Sequence, residues 1–453
     1  MQTQRHNAKR QAVSGYAVLG IDPAKANHHG AILNADGLQQ SKSFSFDVSR
    51  TGFDAIWESI EKRLSAFGPK EMIVAIETSC NLWCTAANYF YAKGYTVVLV
   101  KPLTTYHSRS LMKSDFSRTD PKDAYLIADN AQKGYYDQYH VFEPHLEAMH
   151  QLSISYDKLS KDCVKAKLRL RSLMEKYFPE YLDAFGISTK TSLYLLERYF
   201  LPRHFLDLDI SQEAPRLLKL SQRHHGRETL EDLKSWAKTS IGVPVDPIVE
   251  DALRLVLDGW IRSLHQAEDQ IKSVLKALKG LASQFSEFDI LSSIPNISDN
   301  LAALFIAETA NPSRFDHYKQ VEKLAGLNLR LSQSGQYAGQ RRISGIGNNR
   351  LRRIIYQMTV QTARVVPQVR CRFLRRQLKR KCYNKSIIAA SSQLLKLIMV
   401  LLKEKRPYQH KKDWNRELGK LERLYQKQKI KTNPVHKNSH IRRQALIAKN
   451  KAA

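Results

Sequence analysis

The stretch SRTDPKDA, residues 117–124, places Asp120 and Asp123 three apart with Pro121 between them. Residues so spaced share one face of a helix. Asp as the cap, Pro at the first helical position and an acid at the third make an ordinary helix start. The second carboxylate also complements the positive end of the helix dipole. The same geometry would let both carboxylates hold a hard cation such as Mg2+, which takes oxygen ligands. Two more acids close apolar runs: Asp22 ends LGID and Glu77 ends VAIE. An acid at the end of a buried strand is where an α/β sheet presents functional groups. Each has a plainer reading too, Asp22 as a turn residue ahead of Pro23 and Glu77 as an acceptor for nearby amides.

Positioning these four acids falls to the first ~135 residues, which alternate strand and helix patterns. YAVLGID (16–22), HHGAILNAD (28–36) and SKSFSFDV (41–48) read as three successive strands. A helical pattern follows at 53–66, then a strand at 71–78, a helix near 81–93, a strand at 95–102 and a helix from Pro121. Three strands followed by alternating helix and strand predict an α/β sheet with a meander at one side. Paired histidines at 28–29 and 224–225 read as surface or turn residues.

From about 144 to 285 the pattern changes to long helices. Leu253, Leu257, Trp260, Leu264, Ala267, Ile271, Val274 and Leu278 alternate spacings of four and three, a heptad seam. Such a seam suits either a coiled coil between chains or a long helical hairpin within one. The expected organisation is a basic tail at 1–14, an α/β domain at 15–143, a helical or coiled-coil region at 144–285, a basic and mainly α-helical domain at 286–410 and a loosely ordered basic tail at 411–453.

Charge narrows the partner. The 453 residues carry 72 Lys and Arg against 43 Asp and Glu, formally +29. Residues 323–403, 81 in all, hold eighteen Lys and Arg and no acid. Self-repulsion on that scale disfavours a compact state unless a partner neutralises it, and a polyanion such as nucleic acid is the obvious one. Arg341, Arg342, Arg350, Arg352 and Arg353 are the expected phosphate contacts. SSIPNISDNLAALFIAETA (292–310) reads as a tight turn entering a helix, like half of a helix-hairpin-helix. The longest apolar run, LIMVLL at 397–402, falls far short of the ~20 residues of a spanning helix, and no membrane partner is expected. Five cysteines without a C-x-x-C pair predict reduced thiols, no zinc site and a cytoplasmic protein.

With no acid available between 323 and 403, metal-binding carboxylates for phosphoryl chemistry must come from the first domain. Asp22, Glu77, Asp120 and Asp123 together match the layout of an RNase H-like (RuvC-like) fold, whose carboxylates hold a metal pair roughly 4 Å apart. GIDPAK, AIETS and RTDPKDA resemble the three acidic motifs of the DEDD transposases of bacterial insertion sequences, the IS110 and IS1111 group. The second half resembles that family too, in LSSIPNISDNLAALFIAETANPSRF, LAGLNLRLSQSGQYAG and RRISGIGNNRLRRIIYQ. Asn296 and Ser298 stand where the family's hairpin is usually glycine.

The resemblance implies a DNA recombinase that cuts and rejoins DNA, with Mg2+ on the four acids and Ser334 of the SG pair as nucleophile. Ser332 and Ser344 are the neighbouring hydroxyls, and all three also read as loop hydroxyls that contact phosphate. The resemblance further implies a homo-oligomer, dimer or tetramer, and in some relatives a structured guide RNA from the element itself. The alternatives are a RuvC-like nuclease or junction resolvase that uses metal-activated water, and an inactive nucleic-acid binder.

Overall fold

The computed structural model describes residues 2–63, 72–79, 81–112, 120–330, 333–334, 337–338, 342–410 and 412–432. The chain divides into two compact units, Met1–Val141 and Phe142–Ala453.

The first unit is α/β. Its elements run α1 (Gln2–Val13), β1 (Ala17–Asp22), β2 (Asn27–Leu33), β3 (Phe44–Asp47), α2 (Arg50–Arg63), β4 (Met72–Glu77), α3 (Trp83–Ala92), β5 (Thr96–Val100), α4 (Pro102–Met112), α5 (Asp120–Gln132) and β6 (Asp137–Gln138). The sheet order is β3-β2-β1-β4-β5-β6. β1, β4 and β5 pair in parallel, and β2, β3 and β6 pair antiparallel at the flanks. The central strands are apolar throughout because both faces are covered. Leu19, Ile21, Val74 and Ile76 point into one core with Phe53, Ile60, Ala86 and Phe90 from α2 and α3. Val18, Ile73, Ala75, Val98 and Val100 point into the other with Ile127, Ala128 and Ala131 of α5.

Residues 2–13, expected as a tail, form a helix. Nothing in its polar sequence predicts that, and tertiary contacts explain it: Val13 is buried, and the Tyr136 hydroxyl donates to the Lys9 carbonyl at 3.0 Å. His28, expected at the surface, is fully buried. Its ring meets Phe46 and Phe53 edge-on at 5.4 and 5.5 Å, and burial lowers its pKa.

The second unit is helical. Helices α6 (Pro144–Tyr177) and α12 (Pro247–Ala282) make its longest pairing. At 36 residues, α12 is roughly 54 Å long. Leu146 and Met149 at the start of α6 share a core with Leu278 and Ala282 at the end of α12, so the two are antiparallel. Leu257, Leu264, Ala267 and Leu278 of the heptad seam are buried within this chain, which is the intramolecular hairpin option.

At one end of that pair a core built on Phe178, Tyr181, Phe200 and Phe205 gathers α7 (Tyr181–Ala184), α8 (Lys190–Leu196), α9 (Pro202–Leu206), α10 (Ile210–Leu220) and α11 (Arg227–Lys238). At the other end lie α13 (Ser286–Ser292), α14 (Asp299–Thr309), α15 (Tyr318–Leu324), α16 (Asn349–Val365), α17 (Pro367–Leu378) and α18 (Tyr383–Lys403). Among the described residues between α15 and α16 are four two-residue strands: β7 (Leu329–Arg330), β8 (Gln333–Ser334), β9 (Tyr337–Ala338) and β10 (Arg342–Ile343). The segment expected as a loose C-terminal tail carries α19 (Asn415–Thr432), which packs on α17 through Arg370–Glu422 and Arg375–Glu417 ion pairs.

Among the described residues, α18 is long and apolar enough to cross a membrane. The longest apolar run understated it. Ile387, Leu394, Leu395, Ile398 and Leu401 of that helix are buried among the surrounding helices, as in a core helix.

Candidate active site

Parallel register aligns two of the expected acids. Ile21 pairs with Ile76, so Asp22 and Glu77 follow at the same end of adjacent strands. Asp123 arrives from α5, which can lie close on β1 only because residue 20 is glycine. A Cβ there would sit 2.2 Å from the Ala124 carbonyl oxygen and 2.7 Å from the Ala128 amide nitrogen. The loop after Asp22 is held by His28, whose Nδ1 accepts from the Ala24 amide at 3.1 Å.

Arg109 of α4 draws the group together. Its Nε and Nη2 donate to the two carboxylate oxygens of Asp123 at 2.7 and 2.6 Å. That hydrogen-bonded pair, with the negative charges of Glu77 and Asp22, holds the guanidinium's pKa above its ordinary value. Glu77 is 7% exposed, and its Oε2 is buried with no hydrogen-bond partner. Ser108 ties α4 to α5 by donating to the Asn130 side-chain oxygen at 2.7 Å.

Three acids thus share one arginine's field. They do not form a ready ligand set: among the described residues, no three His, Cys, Asp or Glu side chains are arranged to hold an ion. Asp123 is turned to Arg109 instead. Asp120 is the first residue of α5, and its side chain lies outside the described residues. Arg109 itself escaped the sequence reading. Pro102 at the start of PLTTYHSRSLM marks a helix start, but the segment has no strong apolar stripe.

In the second unit, Ser334 lies in β8 opposite Tyr337 of β9. Its side chain, Ser332 and Arg341 lie outside the described residues. β7 and β10 pair below this ribbon, Arg330 opposite Arg342 and Leu329 opposite Ile343. Ser344 is built into the base: its hydroxyl lies 2.9 Å from the Asn328 side-chain oxygen, and its amide donates to the Asn328 carbonyl at 2.7 Å.

The five expected phosphate contacts separate. Arg342 is exposed. Arg350 donates at 2.7 Å to Glu308, a buried carboxylate that also accepts from Ser153 and Asn348. Arg353 pairs with the buried Asp157 at 2.6 Å, and Arg352 donates to the carbonyls of Ala325 and Gly345 at 2.9 and 3.1 Å. In this structure these last three are engaged by acids and carbonyls of the fold itself. The tight turn before α14 forms here without glycine. Asn296 takes a positive φ of 64°, and the Ser298 hydroxyl caps the helix by accepting from the Leu301 amide.

Residues 19–179 match the model of a transposase family's DEDD domain, that of IS110, and residues 288–373 match the transposase model for the IS116/IS110/IS902 family. The two stretches together span more than half of the chain. This chain belongs to the IS110 family of transposases. It is also similar to a Streptomyces coelicolor protein named "Mini-circle putative transposase for IS117", 24% identical over 348 residues, or 73% of this chain and 80% of the relative. Membership in an IS110-type transposase family carries DNA cleavage and recombination as the class of activity. The DEDD match contains Asp22, Glu77, Asp120 and Asp123; the second match contains Ser334 and the four short strands.

Proposed function

We propose that this IS110-family protein moves an insertion element by cutting and rejoining DNA, using Asp22, Glu77, Asp120 and Asp123 to hold Mg2+ and Ser334 as the nucleophile. The observation that carries this reading is that Asp123, Glu77 and Asp22 all act on the Arg109 guanidinium, Asp123 through two hydrogen bonds and the other two through their charge. The site fits a hard cation: its donors are all oxygens, and Glu77 Oε2 is buried without a partner. Mg2+ bound there would stabilise charge on the attacking and leaving oxygens of a phosphodiester. Arg109 must release Asp123 for that carboxylate to serve as a ligand. The strand order 3-2-1-4-5, with β2 reversed between β1 and β3, supports the RNase H-like reading of the first unit.

In the reaction, the Ser334 Oγ gives up its proton and bonds to phosphorus, the P–O bond to the leaving sugar oxygen breaks, and that oxygen takes a proton. The resulting phosphoserine keeps the energy of the broken bond for rejoining, when a second sugar hydroxyl displaces Ser334. A hydroxyl is a weak nucleophile until activated, so this step depends on carboxylate and serine acting at one phosphate. A dimer or tetramer, in a reducing cytoplasm suited to the thiols of Cys163, Cys371 and Cys382, completes the reading. A structured guide RNA is a second polyanion for the same positive charge.

The test is a covalent trap. Wild-type protein with labelled element-end DNA and Mg2+, denatured before electrophoresis, should give a protein–DNA adduct. Ser334→Ala should lose it while keeping DNA binding. Ser344→Ala should keep it, since that hydroxyl serves Asn328, at a stability cost of about 1 kcal/mol. An adduct that survives Ser334→Ala refutes the serine assignment, and cleavage with no adduct in wild type points to metal-activated water instead.

A further inference from the structure

The second unit contains a concave groove of about 1040 Å3 whose charges are all but one positive. Arg372 and Arg376 stand one helical turn apart on α17, and Lys381 and Lys385 follow across the turn into α18. Arg342 faces them from β10. Among the described residues, none of these five cations has an ion-pair partner. Arg350, Arg353, Arg370 and Arg375 each have one. The Nε of Arg376 is buried without a hydrogen-bond partner. The groove's single acid, Glu322, is engaged by the Ser392 hydroxyl. Leu327, Leu329, Ile343, Ile388 and Ala389 give it an apolar floor.

Five cations in one hollow without an ion-pair partner among the described residues repel one another, and an anion of extended charge among them relieves that repulsion. A row of phosphates matches the spread of the five, and an apolar floor suits sugar edges between them. We infer that this groove binds a phosphodiester backbone and leads the strand to the base of the β7–β10 ribbon that bears Ser334. Leu329, Arg342 and Ile343 belong to both the groove and the ribbon's base. The inference rests on the reading of this chain as an enzyme acting on nucleic acid, and it assigns the strand a specific track.

The experiment compares the salt dependence of binding in full-length wild type, the double variant Arg372→Gln/Lys385→Gln, the single variant Arg342→Gln and a control, Lys165→Gln, on the exposed face of α6. Fluorescence anisotropy is read for duplex DNA, single-stranded DNA and an RNA hairpin. Each phosphate contact adds about 0.9 to the slope of log affinity against log salt on a duplex, and about 0.7 on a single strand. The double variant should therefore lose roughly 1.8 in slope on duplex DNA. Raising salt fourfold then weakens it about twelvefold less than wild type. Lys165→Gln should keep the wild-type slope. The probe whose slope falls identifies the strand as DNA or RNA.

Because the groove cations are exposed at their ends and repel one another, the double variant should melt at or slightly above the wild-type temperature. Should it unfold, Arg342→Gln reads the same loss at one contact. Unchanged slopes on every probe overturn the groove. The adduct assay separates the two ideas: an adduct with unchanged slopes removes the groove alone, and reduced slopes without any adduct remove the serine chemistry and leave the groove standing.

Discussion

Arg109→Gln tests whether the arginine holds a place that a metal ion can take. The guanidinium makes two charge-assisted hydrogen bonds to Asp123, at 2.7 and 2.6 Å, and the side chains of the pair are 22% and 11% exposed. Breaking a fully buried pair by removing one partner costs about 3–5 kcal/mol, since a buried charge is left without compensation. Partial access to water brings the expected loss here to about 2–3 kcal/mol. For a unit of this size, that is a fall of roughly 8 °C in the melting transition of the first unit, read by scanning calorimetry on the full chain without metal. Glutamine removes the one charge whose field Asp22, Glu77 and Asp123 are seen to share. A ligand at a hundred times its dissociation constant stabilises by about 2.7 kcal/mol. Saturating Mg2+ should then restore most of the variant's deficit. The wild type should gain less, because its arginine has to be displaced first. Isothermal titration should show tighter Mg2+ binding by the variant than by wild type. Equal Mg2+ shifts in both proteins, or none in the variant, would refute the idea that the arginine and the ion compete for these carboxylates.

Gly20→Ala should disable cleavage without touching an acid: the new Cβ meets the Ala124 carbonyl oxygen at 2.2 Å, backbone that cannot swing aside. Overpacking of this kind costs about 1–3 kcal/mol, and a shift of α5 by an ångström should slow Mg2+-dependent cleavage roughly 100-fold. Wild-type cleavage rates in Gly20→Ala would show that α5 does not need its seat on β1. Acid should loosen the second unit through Glu308. Burial raises its pKa, but the hydrogen bonds from Arg350, Ser153 and Asn348 outweigh that and hold it below the ordinary 4.5. A depressed carboxyl binds fewer protons folded than unfolded, so its stabilisation is complete above about pH 4.5 and drains away below that. Glu308→Gln should flatten this acid limb in a melting-temperature series, while costing about 3 kcal/mol at neutral pH by stranding Arg350. An unchanged acid limb in the variant would remove Glu308 from the account.

The sheet was legible in the sequence because its central strands are unbroken apolar runs, and their last residues, Asp22 and Glu77, were legible for the same reason. The seam of α12 was legible as a pattern, but not as to partner, since α6 supplies it from far away in the chain. What escaped depends on such distant contacts. α1 carries no apolar stripe and is fastened by Tyr136. His28 reads as polar, yet Phe46 and Phe53 close around it. Arg109 looks like any basic residue of a polar helix until Asp123 is set beside it.

Charge shows the limit most clearly. Counting gave eighteen cations and no acid between 323 and 403, and treated them alike. Folding sorts them. Glu308, Asp157, Glu417 and Glu422, all outside that stretch, neutralise Arg350, Arg353, Arg375 and Arg370. A surplus kept only for solubility would leave the remaining cations dispersed over convex surface, where water screens them at little cost. Instead Arg342, Arg372, Arg376, Lys381 and Lys385 line one hollow. Their concentration around one acid, Glu322, which the Ser392 hydroxyl engages, is costly to the free protein, and that cost is the physical sign that their partner comes from outside the chain.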